Sequence, residues 1–185
     1  MPYVILTISA LLVNTKRELK TSDLRLEPCR LADVPLIHRL WTDPHIRHFL
    51  FDGREISLDE TRSFIENSIA NFEQHNYGLW LVFASDDNRL VGFAGLLHSE
   101  GDAPNLIYGV HPEFCGRGYA TKAAGAVLSY AFDTLALPLV KADVDELNVA
   151  SVRVLERIGM KQTNRAAIKE QSLLYFEKSG LARAG

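Results

Sequence analysis

Cysteine is scarce in this chain of 185 residues, which holds only Cys29 and Cys115, far apart and in no CxxC pattern. A disulfide framework and a cysteine-built zinc cluster are thereby excluded, and a reducing, cytoplasmic setting fits. Excess positive charge is missing too: 20 Lys and Arg stand against 23 Asp and Glu, a net charge of -3. No global field gathers nucleic acid or an anionic membrane. Nor is there an apolar run of the roughly 20 residues that span a bilayer. The nearest approach, Tyr3 to Val13 ahead of Lys16, Arg17 and Lys20, is too short. It also lacks the positive n-region and the small-residue cleavage site of a signal peptide. It reads as a start-site extension, an added edge strand or a dimer contact.

Several ligand motifs are absent as well. No GxxxxGK[ST] P-loop occurs, and a Rossmann GxGxxG counted from Gly116 fails because Thr121 takes the third glycine's place. His45 and His48, with Asp43, are not completed into a metal-ligand set, so no metal is expected. No repeat, low-complexity tract or interdomain linker divides the chain. What is present in quantity is apolar material, 47% of residues, enough for the core of one compact domain.

Leu24, Leu26 and Pro28 alternate with Arg25 and Glu27 as a half-buried strand does. Asp33 then stands as an N-cap for a helix burying Leu36, Ile37, Leu40 and Trp41. Asp43-Pro44 and Asp52-Gly53 read as turns. Ser57 and Glu60 have the capping-box spacing, and Ile65, Ile69 and Phe72 follow at helical intervals, which predicts a helix from about Leu58 to Gln74. Gly78 to Ala84 and Leu90 to Leu97, parted by the polar turn Ser85-Asp86-Asp87-Asn88, predict an antiparallel hairpin. Asn105 to Val110 is the next strand, Thr121 to Phe132 a helix, Leu139 to Val144 a strand and Asn148 to Ile158 a helix. One or two strands follow between Met160 and Phe176. The order predicts an α/β (α+β mixed) fold, a mixed sheet with helices on its faces.

Two segments carry chemistry. The strand ending at Val110 runs through His111-Pro112-Glu113-Phe114 into Cys115-Gly116-Arg117-Gly118-Tyr119-Ala120, and a helix follows at once. Glycines there let the backbone turn tightly and present its N–H groups, and the helix N-terminus adds unsatisfied donors and a positive dipole end. Taken alone this is a turn with anion-binding potential. The second segment, Asn148 to Met160, opens on an N-cap residue and closes on a C-cap glycine. Taken alone it is a capped amphipathic helix.

Together, and about thirty residues apart, the two segments resemble the GNAT superfamily of acetyl-CoA-dependent N-acetyltransferases. They are most similar to the branch of ribosomal-protein N-terminal acetyltransferases, whose pattern reads GxGYAT, a helix ending in YAF, then NxxSxxVLEKxGF. Here these are Gly116 to Thr121, Tyr130-Ala131-Phe132 and Asn148 to Met160, with further likeness in Leu24-Arg25-Leu26 and Gly92-Phe93-Ala94-Gly95. The resemblance implies a central, mostly antiparallel, splayed sheet flanked by helices. It divides the chain into an N-terminal extension, residues 1–22, and a single domain, residues 23–180.

The resemblance implies that backbone groups at Tyr108 and Val110 meet the pantetheine arm of acetyl-CoA. The loop Cys115, Gly116, Arg117, Gly118, Tyr119, Ala120 and Thr121 would hold the pyrophosphate, and Asn148 would be a cofactor-side contact. Transfer would be direct, with a neutral amine attacking the thioester and no acyl-enzyme. Ser151 is the candidate to protonate or steady the leaving thiolate, because Leu155 stands where many family members carry a tyrosine. Asn105 stands near a glutamate of the family and cannot take a proton. That leaves His98 and Glu100, with Asp102, in the loop after the Gly92 to Leu97 strand as candidate bases. Cys115 departs from the Gln or Arg of the broader motif, and Lys122, often acidic in the branch, reads as a solvated face. Trp41, Phe49, Phe51 and Asp52 are expected near the acceptor. The expected partners are an amine acceptor, small molecule or protein N-terminus, with no nucleic acid and no membrane, for a monomer or homodimer. The competing readings are a catalytically weak or inactive acyl-CoA binding module on the same fold, and an interaction domain that uses the apolar N-terminus.

Overall fold

The computed structural model of the protein describes residues 17–168 and 171–180. The apolar run Tyr3 to Val13 lies outside them. Among the described residues eight strands form one sheet: β1 (Leu19–Lys20), β2 (Leu24–Pro28), β3 (Leu79–Ala84), β4 (Leu90–Leu97), β5 (Asn105–Val110), β6 (Leu139–Asp145), β7 (Lys161–Ile168) and β8 (Gln171–Ser179), in the order β1-β2-β3-β4-β5-β6-β8-β7. Every neighbouring pair is antiparallel except β5 and β6. Five helices flank the sheet among the described residues: α1 (Val34–Trp41), α2 (Pro44–Leu50), α3 (Leu58–His75), α4 (Tyr119–Ser129) and α5 (Val149–Arg157).

Strand alternation divides the core in two. Trp80 and Val82 of β3 face one cluster, shared with Ala123, Val127 and Leu128 of α4 and Leu155 of α5. Leu79 and Leu81 face the other, shared with Ile37 and Trp41 of α1, Ile46 of α2 and Ile65 of α3. The helices begin where side chains supply acceptors. Ser57 Oγ accepts from Glu60 N at 3.1 Å while the Glu60 carboxylate accepts from Ser57 N at 2.8 Å, a complete capping box for α3. Asn76, at φ 62°, closes that helix in the left-handed region that asparagine tolerates.

Two local expectations are corrected. Asp43-Pro44 does not end a helix as a turn but starts one. Asp43 Oδ1 accepts from His45 N at 2.9 Å and Ile46 N at 3.3 Å, and Pro44 occupies the first helical position, where its missing N–H costs nothing. Asp33 does not cap α1 with its side chain; it accepts from Arg30 N at 2.8 Å and closes a 3-10 turn instead. After α4 the chain runs into one π-helical stretch, Tyr130–Thr134.

Candidate active site

Among the described strands β5 and β6 are the one parallel pair, and they meet at a single register position, Asn105 opposite Lys141. Beyond it they part, leaving a cleft of about 510 Å³ in the middle of the sheet. Its walls are Leu106 to Val110 of β5, Ala142 to Asp145 of β6, and Asn148, Ala150, Ser151, Val154 and Leu155 of the α5 region. α2 and the residues after it close one side with His45, Ile46, Phe49, Leu50 and Asp52, while Cys115 and Ala120 stand toward the glycine loop.

Tyr108 ties the two halves together by donating its hydroxyl to the Ser151 carbonyl at 2.9 Å. Burial raises the phenol well above its ordinary pKa, so it stays a neutral donor. Asn148 Oδ1 accepts from Ser151 N at 3.1 Å, which caps α5 and keeps Asn148 and Ser151 side by side on the wall of the cleft. At the other end of α5, Lys178 Nζ donates to the Ile158 carbonyl at 2.6 Å, a cation at the negative end of the helix dipole.

The loop leading to α4 turns on two left-handed glycines, Gly116 at φ 78° and Gly118 at φ 77°. Gly118 is the N-cap of α4, and a Cβ at either position would meet nothing within 4 Å. The loop thus leaves open space beside the free N–H groups of a helix start, which suits a phosphate. Arg117 stands over the Phe114 ring at 5.4 Å, and Arg89 approaches the same ring at 4.8 Å. Lys122 is exposed on a solvated face, where it pairs with Asp23 and joins α4 to the start of β2. Cys115 is exposed, its sulfur 4.0 Å from the Val110 carbonyl and 3.9 Å from that of His111.

Among the residues singled out from sequence, Tyr108, Val110, Cys115, Ala120, Asn148 and Ser151 come together on the cleft. Gly116, Arg117, Gly118, Tyr119 and Thr121 continue outward from Cys115 into α4. His98 and Glu100 are corrected, because the structure does not bring them there. β4 runs antiparallel to β5, so the loop after β4 emerges beside Asn105, at the end where β5 and β6 are still joined. His98 Nδ1 lies 2.9 Å from the Tyr77 hydroxyl, its ring stacks on His75 at 4.0 Å, and it borders a separate cavity of about 230 Å³ beneath α3. Glu100 is exposed, and Asp102 is held by Lys141. Phe49 and Asp52 do line the cleft; Trp41 is fully buried among Phe51, Phe64 and Phe93.

Sequence reasoning missed Asp143 and Asp145. Both line the cleft from β6. Asp143 is open to the cleft yet recessed among protein atoms, and desolvation raises its carboxyl above the ordinary aspartate value. The alternation of Val140, Ala142 and Val144 with charged residues was the available signal. Among the described residues no group of three or more His, Cys, Asp or Glu is placed to hold a metal ion, and no helix is long and apolar enough to cross a membrane.

Comparison with known proteins fits this geometry. Residues 23–161 match the acetyltransferase (GNAT) domain family. The chain is 28% identical over 170 residues to the protein YkkB of Bacillus subtilis (strain 168), across 90% of this chain and 98% of that one. Its fold is similar to a GNAT-family acetyltransferase from Bacillus anthracis, with TM-score 0.75 and 22% identity over 88% of this chain and 98% of the other. It is also similar to RimL, a ribosomal L7/L12 alpha-N-protein acetyltransferase solved with coenzyme A, with TM-score 0.75 and 17% identity over 88% of this chain and 98% of that one.

Proposed function

The chain belongs to the GNAT acetyltransferase family, and we propose that it moves the acetyl group of acetyl-CoA directly onto a primary amine. The observation that carries this reading is the cleft between β5 and β6, with the glycine loop at one end and residues of α2 lining the side where an acceptor would meet the thioester. Acetyl-CoA supplies an activated acyl group on a thiol leaving group. The backbone of Gly116 to Ala120 holds the pyrophosphate, and the unpaired inner edge of β5 offers N–H and C=O groups to the amide-bearing pantetheine arm. That direction sends the thioester inward, toward the point where the strands meet. Ser151, on the wall of the same cleft, gives a proton or a hydrogen bond to the departing thiolate. The acceptor is a small amine or a protein N-terminus.

Millimolar acetyl-CoA should raise the melting temperature of the purified protein, and a panel of primary amines should elicit thiol release. Neither acetyl-CoA nor another acyl-CoA shifting the melt would sink the reading. Leu155 is buried on the cleft wall and brings no hydroxyl. That favours, as second reading, a domain that binds acyl-CoA with little or no transfer, and binding without thiol release across the whole panel is its signature. For the transferase, Ser151→Ala should cut turnover about 100-fold while leaving acetyl-CoA affinity nearly unchanged. Unchanged turnover would reduce Ser151 to a residue of the helix start.

A further inference from the structure

Val140, Ala142 and Val144 of β6 are buried in the cluster beneath α4. Alternation along the strand sends Lys141, Asp143 and Asp145 to the opposite face, the side of Ile107 and of α1 to α3. Lys141 is committed to Asp102 at the closed end of the sheet, with Nζ 2.7 Å from Oδ1. Asp145 Oδ1 accepts from Leu147 N at 2.8 Å. Asp143 is different: among the described residues no ion pair or hydrogen bond from another residue's side chain holds its carboxylate, which is exposed to the cleft while desolvation by the surrounding chain raises its pKa. It stands two positions beyond the last joined pair, Asn105 and Lys141, level with Ile107 where the strands begin to part. With the pyrophosphate at the glycine loop, the thioester end lies at this inner point of the cleft.

The charges lining the cleft are of one sign. Asp143 and Asp145 reach it from β6 and Asp52 from the α2 side, and among the described residues no lysine or arginine lines it. Ile46, Phe49 and Leu50 supply an apolar wall on the α2 side. Such a chamber attracts a cation and rejects a carboxylate-bearing acceptor.

We infer that the acceptor is an alkyl primary amine that arrives as its ammonium ion, and that Asp143 both receives it and takes its proton. The assignment rests on direct transfer from acetyl-CoA. The ammonium gives one proton to the Asp143 carboxylate, and the nitrogen lone pair forms the C–N bond at the thioester carbonyl. As the tetrahedral species collapses, the C–S bond breaks, its electron pair leaves on sulfur, and a second proton from the amine nitrogen ends on the thiol. The proton on Asp143 returns to water. Desolvation, which raises the carboxyl, makes it a better base for this step than an exposed aspartate.

Among the described residues, the other titratable groups of the surroundings are His45 and Asp52 from the α2 side, Lys141 and Asp145 on the same strand, Tyr108 on β5, Cys115, and Tyr175 of β8, which stands opposite Asp143. None of them changes in Asp143→Asn. That variant is assayed for thiol release against pH with an n-alkylamine, a linear polyamine and a tripeptide amide with a free N-terminus. The expected result is a loss of about 10²- to 10⁴-fold in kcat/KM at neutral pH. The variant's rate should climb as pH rises and free amine becomes available from solution, while the wild-type rate levels off. Asp143→Glu restores part of the activity.

The acetyl-CoA-induced melting shift should match that of the wild type. The folded state holds the Asp143 pKa above its unfolded value, so its charged form costs stability at neutral pH; the variant should melt no lower. An unchanged rate in Asp143→Asn, or a loss of equal proportion at every pH, overturns the assignment while transferase activity stands. Acetyl-CoA binding with no thiol release by the wild type removes the functional reading, and this assignment with it.

Discussion

Gly118→Val should abolish the rise in melting temperature expected from acetyl-CoA, whereas Arg117→Ala should lower it only slightly. Gly118 sits at φ 77° as the N-cap of α4, a backbone state that a β-branched residue adopts only as an outlier. Holding valine there costs about 1–3 kcal/mol of strain, which the loop relieves by turning its N–H groups away from the ligand. The new side chain meets no protein atom within 4 Å, so it occupies the space left for the phosphates. Both effects act on the same contact, and binding should fall by orders of magnitude. Arg117 contributes as an exposed cation beside Phe114, and its loss costs about 1 kcal/mol or less. Titration calorimetry of the two variants separates these magnitudes. Equal losses would place the phosphates on the side chain rather than the backbone.

Gly92→Ala produces the largest loss of stability expected from any single methyl group in the sheet. Gly92 on β4 pairs with Val110 on β5, and a Cβ there would lie 2.1 Å from the Gly109 carbonyl oxygen and 3.0 Å from the Val110 Cα. Both obstacles are backbone, so no rotamer change relieves the clash and the strands must separate. Overpacking costs about 1–3 kcal/mol and more when backbone has to move. Each kcal/mol is worth about 2–4 °C in a domain of this size, which predicts a drop of about 10 °C in Tm. β5 is also a wall of the cleft, so acetyl-CoA affinity should fall with it. An unaltered melt would mean that β4 and β5 stand farther apart than their register implies.

The order of strands and helices was legible because periodicity changes cleanly from two to 3.6 along the chain and because Ser57, Asn148 and Gly159 mark helix ends. α2 was not, because Asp-Pro signals a helix start as well as a turn, and only the hydrogen bonds from His45 and Ile46 decide between them. The glycine loop before α4 was legible for a local reason: its glycines, strand and helix are contiguous in sequence. The proton chemistry was not local. Nearness of His98 to β5 along the chain says nothing about which end of an antiparallel pair it emerges from, and it emerges at the closed end. The charge alternation on β6 showed that Asp143 faces away from Val140 and Val144. It did not show that this face opens into a cleft, since that follows from the parting of β5 and β6. Lys122 found Asp23 across 99 positions of sequence, beyond any local reading.

The parting of β5 and β6 gives the sheet two internal edges. Edge strands invite foreign chains to pair with them, and proteins ordinarily confine them to the rim or cover them. Here two such edges diverge from one another in the interior of the sheet, each too far from its neighbour to complete a ladder and flanked by α2, α4 and α5. A ligand whose arm carries amide groups can act as a partial ninth strand. On the proposed reading, binding would finish the secondary structure of the domain, and the bonding left incomplete at the end of folding would become the means of holding the substrate.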